Sequence, residues 1–368
     1  MSGVGFADWL AAFRQRAVAE GLETEALDDL APLPEVLAKD RAQAEFSLTV
    51  RDYLARAVGA ARISAGRAAL GRHAALFDRI EAGFAVPRTI LAAIWGIETS
   101  FGENRGQVPL LAAVATLAHD GRRAAFFQAE LMAALRMAEW AGVDGAALRG
   151  SWAGASGHMQ FMPSSVLAHA VDFDGDGRID LWGDDPTDAV ASAAAYLVVQ
   201  GWQAGQPPLA RARLASGFDP GDSGRLLRLP LADWQARGAL TEGPAPGAEA
   251  ALILPAGVAG PAFFWGENAD VLARYNASES YVLAVALLAD RLGEAPAPDL
   301  VWPDERALSM DEKREVQERL AALGHDPGGA DGRIGPNTVR ALKAWQRAAG
   351  LPADGHASPA LLERLRQG

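Results

Sequence analysis

From about Phe6 to about Gln200 the chain repeats one theme: alanine-rich stretches whose larger apolar residues fall three or four positions apart, separated by short breaks. That period gives each segment one face to bury, so the first half reads as mostly helical. Helices are expected over Phe6–Glu20, Phe46–Val58, Ser64–Ala82, Pro87–Ser100, Pro109–Ala118, Arg122–Ala141 and Pro186–Gln200. From Gly201 to about Gly260 the pattern gives way to Pro, Gly and short apolar runs such as "AALILPAG", which predicts a small strand-bearing elaboration or long loops. Helical periodicity returns over Glu267–Leu292. The Pro-rich stretch "GEAPAPDLVWPDERA" then reads as a linker, and a helical tail of about sixty residues follows. The expected division is 1–293, with the elaboration at 201–260, then a linker at 294–308 and a small helical bundle at 309–368.

The tail carries a weak internal repeat. "LGHDPGGADGRIGPNTVRAL" and "AGLPADGHASPALLERL" each set an Asp-Gly turn before a Ser, Thr or Pro start signal and a Leu-bearing helix. Its separation by a Pro-rich segment points to an independent binding module.

Composition narrows the chemistry. A net charge of -12 with no basic stripe argues against a nucleic-acid binder. The chain has no cysteine, which removes disulfides, thiolate zinc sites and thiol catalysis. Its six histidines show no HExxH-type spacing. The first twenty residues read as an amphipathic helix without the basic and apolar regions of an export signal, so an exported form would carry its signal outside this sequence.

In "IWGIETSFGE", Glu98 is the one acid before the helix end, and Leu91, Ile94 and Trp95 share its helical face. A carboxyl group held against apolar neighbours favours its neutral form, the state a general acid needs. A Glu in such a place also snorkels to solvent or pairs with an arginine, and Arg105 is near in sequence. Pro87 suits the first turn of this helix and Gly102 its C-terminal cap.

Three further stretches hold candidate ligands. "GSWAGASGHMQFMPSS" surrounds Gln160 with small residues that let a ligand approach the backbone, although a tight helix crossing uses the same residues. "VDFDGDGRIDLWGDDPTD" places Asp172, Asp174 and Asp176 at alternate positions, then Gly177, the Arg178 carbonyl and Asp180, the spacing of an EF-hand calcium loop. Its twelfth position is Gly183, so the closing ligand has to come from Asp184, Asp185 or Asp188. "VLARYNASESYVLAVALL" sets Tyr275, Asn276 and Tyr281 at the start of an apolar helix, as sugar-binding groups or as an ordinary cap with core aromatics.

Together these stretches resemble the lytic murein transglycosylase B type, bacterial enzymes with a lysozyme-like fold that cleave peptidoglycan. The resemblance covers about Phe6–Leu292 and rests on "GIETSFG", "GSWAGASGHMQFMPSS", the acidic loop, "AAAYL" and "RYN". It implies Glu98 as catalytic acid, Ser151, Gln160, Tyr196, Tyr275, Asn276 and Tyr281 as substrate-site residues, and Asp188 as the last ligand of a structural calcium ion. Ala195 stands where many members have Asn, and Ala269 where an aromatic is usual. The tail is similar to the peptidoglycan-binding type 1 domain, through Gln317, Gly324, Asp331-Gly332, Gly335, Thr338 and Gln346.

The resemblance further implies a monomer in the bacterial periplasm or at the outer membrane, with peptidoglycan glycan strands as partner. Ordinary glycosidases use two carboxylates, whereas no second acid stands in the Gly150–Ser165 stretch. In the family mechanism one carboxyl group protonates the glycosidic oxygen and then takes the proton of the muramic acid C6 hydroxyl, closing a 1,6-anhydro ring without water. A hydrolytic muramidase on the same scaffold and a non-catalytic, calcium-stabilised wall-binding protein are the competing readings.

Overall fold

The computed structural model describes residues 5–42 and 48–367. It is mainly helical, and its helices and sheet form two compact units. The first contains α1 (Phe6–Ala19) and α2 (Pro34–Ala42); α3 (Val50–Ala57) belongs to the second. The first then continues through α4 (Ala60–Arg72), α5 (Ala74–Phe84), α6 (Arg88–Thr99), α7 (Leu110–Asp120), α8 (Ala124–Ala141), α9 (Pro163–His169) and α10 (Thr187–Val199). A two-residue ladder of β1 (Val108–Pro109) and β2 (Arg149–Gly150) ties the segment after α6 to the Gly-rich stretch before α9.

Burial explains this arrangement. Every residue of α7 from Leu110 to Ala118 is buried, as are Ile90–Gly96 of α6 and all of α10 from Asp188 to Leu197 except Ala195. Helices apolar on all sides belong at a centre, and here α7 packs on α8, while α6 packs on α4, α5 and α10. Alanine makes this possible, because short side chains let helix axes come close.

In the second unit the 201–260 elaboration is an antiparallel sheet of β3 (Leu209–Leu214), β4 (Arg228–Pro230), β5 (Ala239–Glu242), β6 (Glu249–Ile253) and β8 (Ala262–Trp265), in the order β4-β6-β8-β3-β5. The short strand β7 (Pro255–Val258) precedes β8. The sheet runs to Trp265, a few residues beyond the expected boundary. The helix α11 (Leu231–Ala236) covers one face, where Trp234 lies fully buried with Leu252 and Phe264 and donates its indole N–H to Ala250 O at 2.8 Å. After the sheet come α12 (Glu267–Tyr275) and α13 (Glu279–Leu292), and α3 packs on α13.

The tail is a bundle of α14 (Met310–Ala322), α15 (Pro336–Ala348) and α16 (Pro359–Gln367) around Val316, Leu320, Leu342, Trp345 and Leu362. Ser309 and Glu312 close a capping box on α14. The repeat seen in the sequence is real in the hydrogen bonding. Gln317 accepts from Gly332 N and donates to Asp331, and Gln346 accepts from Gly355 N and donates to Asp354. Each Asp also takes the amide two residues on, from Arg333 and His356.

Several expectations change. Ser64–Ala82 is two helices broken at His73, whose ring packs edge-on against Trp95, so a tertiary contact overrides a continuous period. The start of the Phe46–Val58 helix lies outside the described residues; within them α3 begins after Thr49, whose hydroxyl accepts from Asp52 N. The Pro-rich segment is fastened rather than free. Asp304 pairs with Arg51 at 3.1 Å, Asp299 O accepts from Arg211, and Glu305 meets His356 Nε2 at 2.7 Å. The tail itself docks through Lys343, whose ammonium donates to Gly221 O at 3.3 Å, Ser223 Oγ at 3.1 Å and the Ser223 carbonyl. Asp354 Oδ2 accepts from Val258 N at 3.0 Å in the same interface. Among the described residues no single helix is long and apolar enough to cross a membrane.

Candidate active site

Glu98 occupies the last turn of α6 and is half-buried, next to the fully enclosed run Ile90–Gly96. The helix starts one residue later than expected, with Pro87 as its N-cap and the Glu81 carboxylate accepting from Arg88 N at 3.2 Å. Its end is more unusual. Ser100, Phe101 and Gly102 all take positive φ, at 51°, 63° and 89°. The left-handed turn therefore begins at Ser100, not at the Gly102 that composition favours as a cap. Left-handed backbone at a Ser and a Phe costs of the order of 1 kcal/mol or more each. Packing offsets it, since the Phe101 ring lies over Gly96, where a Cβ would stand 2.5 Å from Cζ, and edge-on to Trp95 at 5.8 Å. Gly96 is poor helix material but makes room for that ring.

The residues after the turn are held by the Gly-rich stretch. Thr99 Oγ1 donates to His158 O at 2.8 Å and accepts from Gly102 N at 3.0 Å. The Gln160 side-chain amide donates to Arg105 O at 3.1 Å and Gly157 O at 3.0 Å. With both its hydrogens committed, Gln160 presents Oε1, an acceptor suited to a hydroxyl or acetamido N–H. Arg105 directs its guanidinium to Trp182 O at 2.7 Å, Gly183 O and Asp184. Ser151 Oγ accepts from Ala155 N at 3.1 Å and keeps its own hydrogen to give.

Tyr196 is 9% exposed, with its ring at 5.8 Å from Phe161 and 4.9 Å from His169. The structure thus brings Glu98, Ser151, Gln160 and Tyr196 into the first unit. Tyr275, Asn276 and Tyr281 belong to the second. There Tyr275 and Tyr281 lie parallel, 7° apart at 6.4 Å, and Tyr281, 2% exposed, backs Tyr275 rather than offering a face of its own. Asn276 Oδ1 accepts from Ser278 N at 3.1 Å, which leaves its amide hydrogens for a ligand. Nearby, burial raises the pKa of Glu279 against the pull of Arg225.

The acidic loop brings Asp172, Asp174 and Asp176 together, with ligand oxygens within 4.8 Å of one another and all three side chains exposed. Their other bonds are to the loop's own amides, Gly175 and Gly177 to Asp172, Asp176 to Asp174, and Arg178 to Asp176. Asp188 is 4% exposed and accepts from Phe173 N at 2.8 Å and Asp180 N at 3.0 Å, bracketing the loop at both ends. Burial raises its pKa. Asp185 is engaged elsewhere, taking both the amide and the hydroxyl of Thr187. An all-oxygen set with carboxylates crowded at alternate positions fits a hard cation such as calcium.

Sequence reasoning missed His158, Thr99 and Phe101 as parts of this site. His158 is the sole imidazole in the Gly-rich stretch, and only its burial among Trp95, Gly102 and Gly183 distinguishes it.

Comparisons with known proteins follow the same outline. The profile of the transglycosylase SLT domain matches residues 5–290, and that of a putative peptidoglycan binding domain matches 309–365. SltB3 from Pseudomonas aeruginosa, in complex with NAG-anhNAM-pentapeptide, is 43% identical and superposes with a TM-score of 0.93 over 99% of this chain and 100% of that one. The lytic transglycosylase SLT35 of Escherichia coli, in complex with calcium, is 29% identical with a TM-score of 0.70, over 80% of this chain and 94% of that one. Membrane-bound lytic murein transglycosylase B of Escherichia coli strain K12 is 38% identical over 218 residues, and the match spans 58% of this chain and 58% of that protein. With the family profile covering most of the sequence, the lysozyme-like fold shared and a peptidoglycan-binding domain appended, the chain belongs to the transglycosylase SLT family.

Proposed function

We propose that this protein is a lytic murein transglycosylase that cleaves the β-1,4 bond between MurNAc and GlcNAc and leaves 1,6-anhydromuramic acid ends. The observation that carries the reading is the single carboxyl group at the end of an otherwise enclosed helix, Glu98, next to Thr99 and a left-handed turn that Thr99 fastens to the Gly-rich stretch. One group at one place suits a mechanism in which the acid that protonates the leaving oxygen becomes the base that takes the C6 hydroxyl proton. Ser151, Gln160 and Tyr196 in the first unit and Tyr275, Asn276 and Tyr281 in the second are each assigned to binding the substrate or supporting a residue that does, and fixed positioning with exclusion of water favours ring closure over hydrolysis.

Asp172, Asp174, Asp176, the Arg178 carbonyl and Asp188 are assigned to one structural calcium ion, which the calcium complex of SLT35 supports. The division at 294–308 separates a catalytic region from a wall-binding tail, and the setting is the bacterial periplasm or outer membrane. Mass spectrometry of muropeptides released from purified sacculi tests the reaction. Anhydro ends one water lighter than reducing ends support it; reducing ends indicate a muramidase, and no release indicates a binding protein.

A further inference from the structure

His158 is 3% exposed, and both its ring and its backbone are engaged. The Trp95 indole N–H, a donor only, lies 3.2 Å from Nδ1, which makes Nδ1 the acceptor and puts the hydrogen on Nε2. That hydrogen points to Gly183 O at 2.7 Å; Arg105 Nη1 lies 3.2 Å from the same Nε2 and donates to that carbonyl as well. The backbone O of His158 accepts from Thr99 Oγ1, and its N donates to Leu181 O at 3.0 Å. The ring also fills the hook of the left-handed turn, since a Cβ on Gly102 would stand 2.6 Å from Nδ1 and Cε1. On one side it grips Trp95, one turn before Glu98, and Thr99, the next residue; on the other it grips Leu181–Gly183, just past the acidic loop.

We infer that His158, as a neutral Nε2–H imidazole, is a positioning residue that fixes the direction of Glu98 by clamping the end of α6 to the backbone at Leu181–Gly183. The inference rests on Glu98 being the proton-transfer group. Protonation would place an N–H at Nδ1 against the Trp95 N–H and release the clamp. Burial pushes the His158 pKa below its ordinary value of 6.5, the Gly183 carbonyl opposes this, Arg105 adds to it, and Asp180 and Asp184 oppose it. His73, which also packs edge-on against Trp95, is likewise lowered by its burial.

Kinetics on soluble glycan strands test it in the full chain. His158→Ala should lower kcat about tenfold or more with KM within about twofold, because a displaced catalytic group loses rate before binding. His158→Asn, whose Oδ1 stands in for Nδ1 but which has no counterpart of the Nε2–H to Gly183 O, should recover part of kcat and lack the parent's loss of rate at acid pH. A folded His158→Ala with the parent's kcat, a loss confined to KM, or an Asn variant as slow as Ala overturns the inference. Should His158→Ala not fold, imidazole nitrogen spectra of the parent decide: a neutral Nε2–H tautomer at neutral pH supports the clamp, and an Nδ1–H tautomer or imidazolium removes it. Glu98→Gln, assayed in parallel, separates the two levels, since full activity there sinks the assignment of Glu98 itself.

Discussion

Gly106 lies directly against the carbonyl of Gly150, with φ at +87°, so any Cβ on Gly106 would overlap the Gly150 backbone. This contact seats the loop after Glu98 on the Gly-rich stretch. Gly106→Ala combines left-handed strain with a backbone clash and should destabilise the fold by about 2 kcal/mol or more. Gly121→Ala, also at positive φ but with open space around it, carries the strain alone and should cost less. Urea denaturation of both variants measures the difference, and equal losses would mean that the close approach is unimportant.

Replacing Glu98 by Gln keeps size and hydrogen bonding but removes the proton cycle. Release of anhydromuropeptides should fall roughly a hundredfold or more while glycan binding persists. Glu103, exposed beyond the turn, is the control, and Glu103→Gln should keep most activity. Near-parent turnover by a folded Glu98→Gln would disprove the one-carboxyl mechanism.

Calcium binding to the native state alone should raise the melting temperature relative to EDTA. Asp174→Asn removes one of the three clustered carboxylates and should weaken that shift without unfolding the chain. Identical melting curves with calcium and EDTA, together with no heat of binding, would make the loop a solvated turn.

Much of this was legible in advance, and the exceptions share a cause. Helix periods, the acidic loop and the tail repeat are local patterns, and they reappear in α6, α7, α8, α10, the Asp172–Asp176 cluster and the Gln317 and Gln346 bonds. The break at His73, the seating of Thr99 and Gly102 on His158 and the burial of His158 come from contacts between distant segments, to which a local window is blind. The fastening of the Pro-rich segment is of that kind too. Proline content suggests a spacer, whereas Asp304 and Glu305 find partners far away in sequence.

That fastening is testable at Lys343. Lys343→Met leaves the Gly221 and Ser223 oxygens without their donor and should cost about 1–3 kcal/mol at the docking surface. A protease dose that spares the parent should then cut the variant within 294–308, with turnover on small soluble glycans retained. Equal resistance would show that the tail stays docked without the lysine.

Acid should loosen the start of α14 by a separate route. Arg306 and the Ser309 amide hold Glu312 at a pKa of about 2, below its ordinary 4.5. A carboxylate with a depressed folded pKa contributes stability above its unfolded value, and the contribution disappears as pH falls from 4.5 through about 2. The melting-temperature gap between the parent and Arg306→Gln should therefore be present near neutrality and close on acidification. A gap that persists at the lowest pH would assign it to packing.

The tail's two half-repeats make the same bonds, yet they no longer have the same neighbours. Asp354 accepts from Val258 N with its second oxygen, while its counterpart Asp331 remains exposed to solvent. A tandem motif that looks bivalent along the chain has acquired a front and a back: one copy is a joint, and the other is left facing solvent.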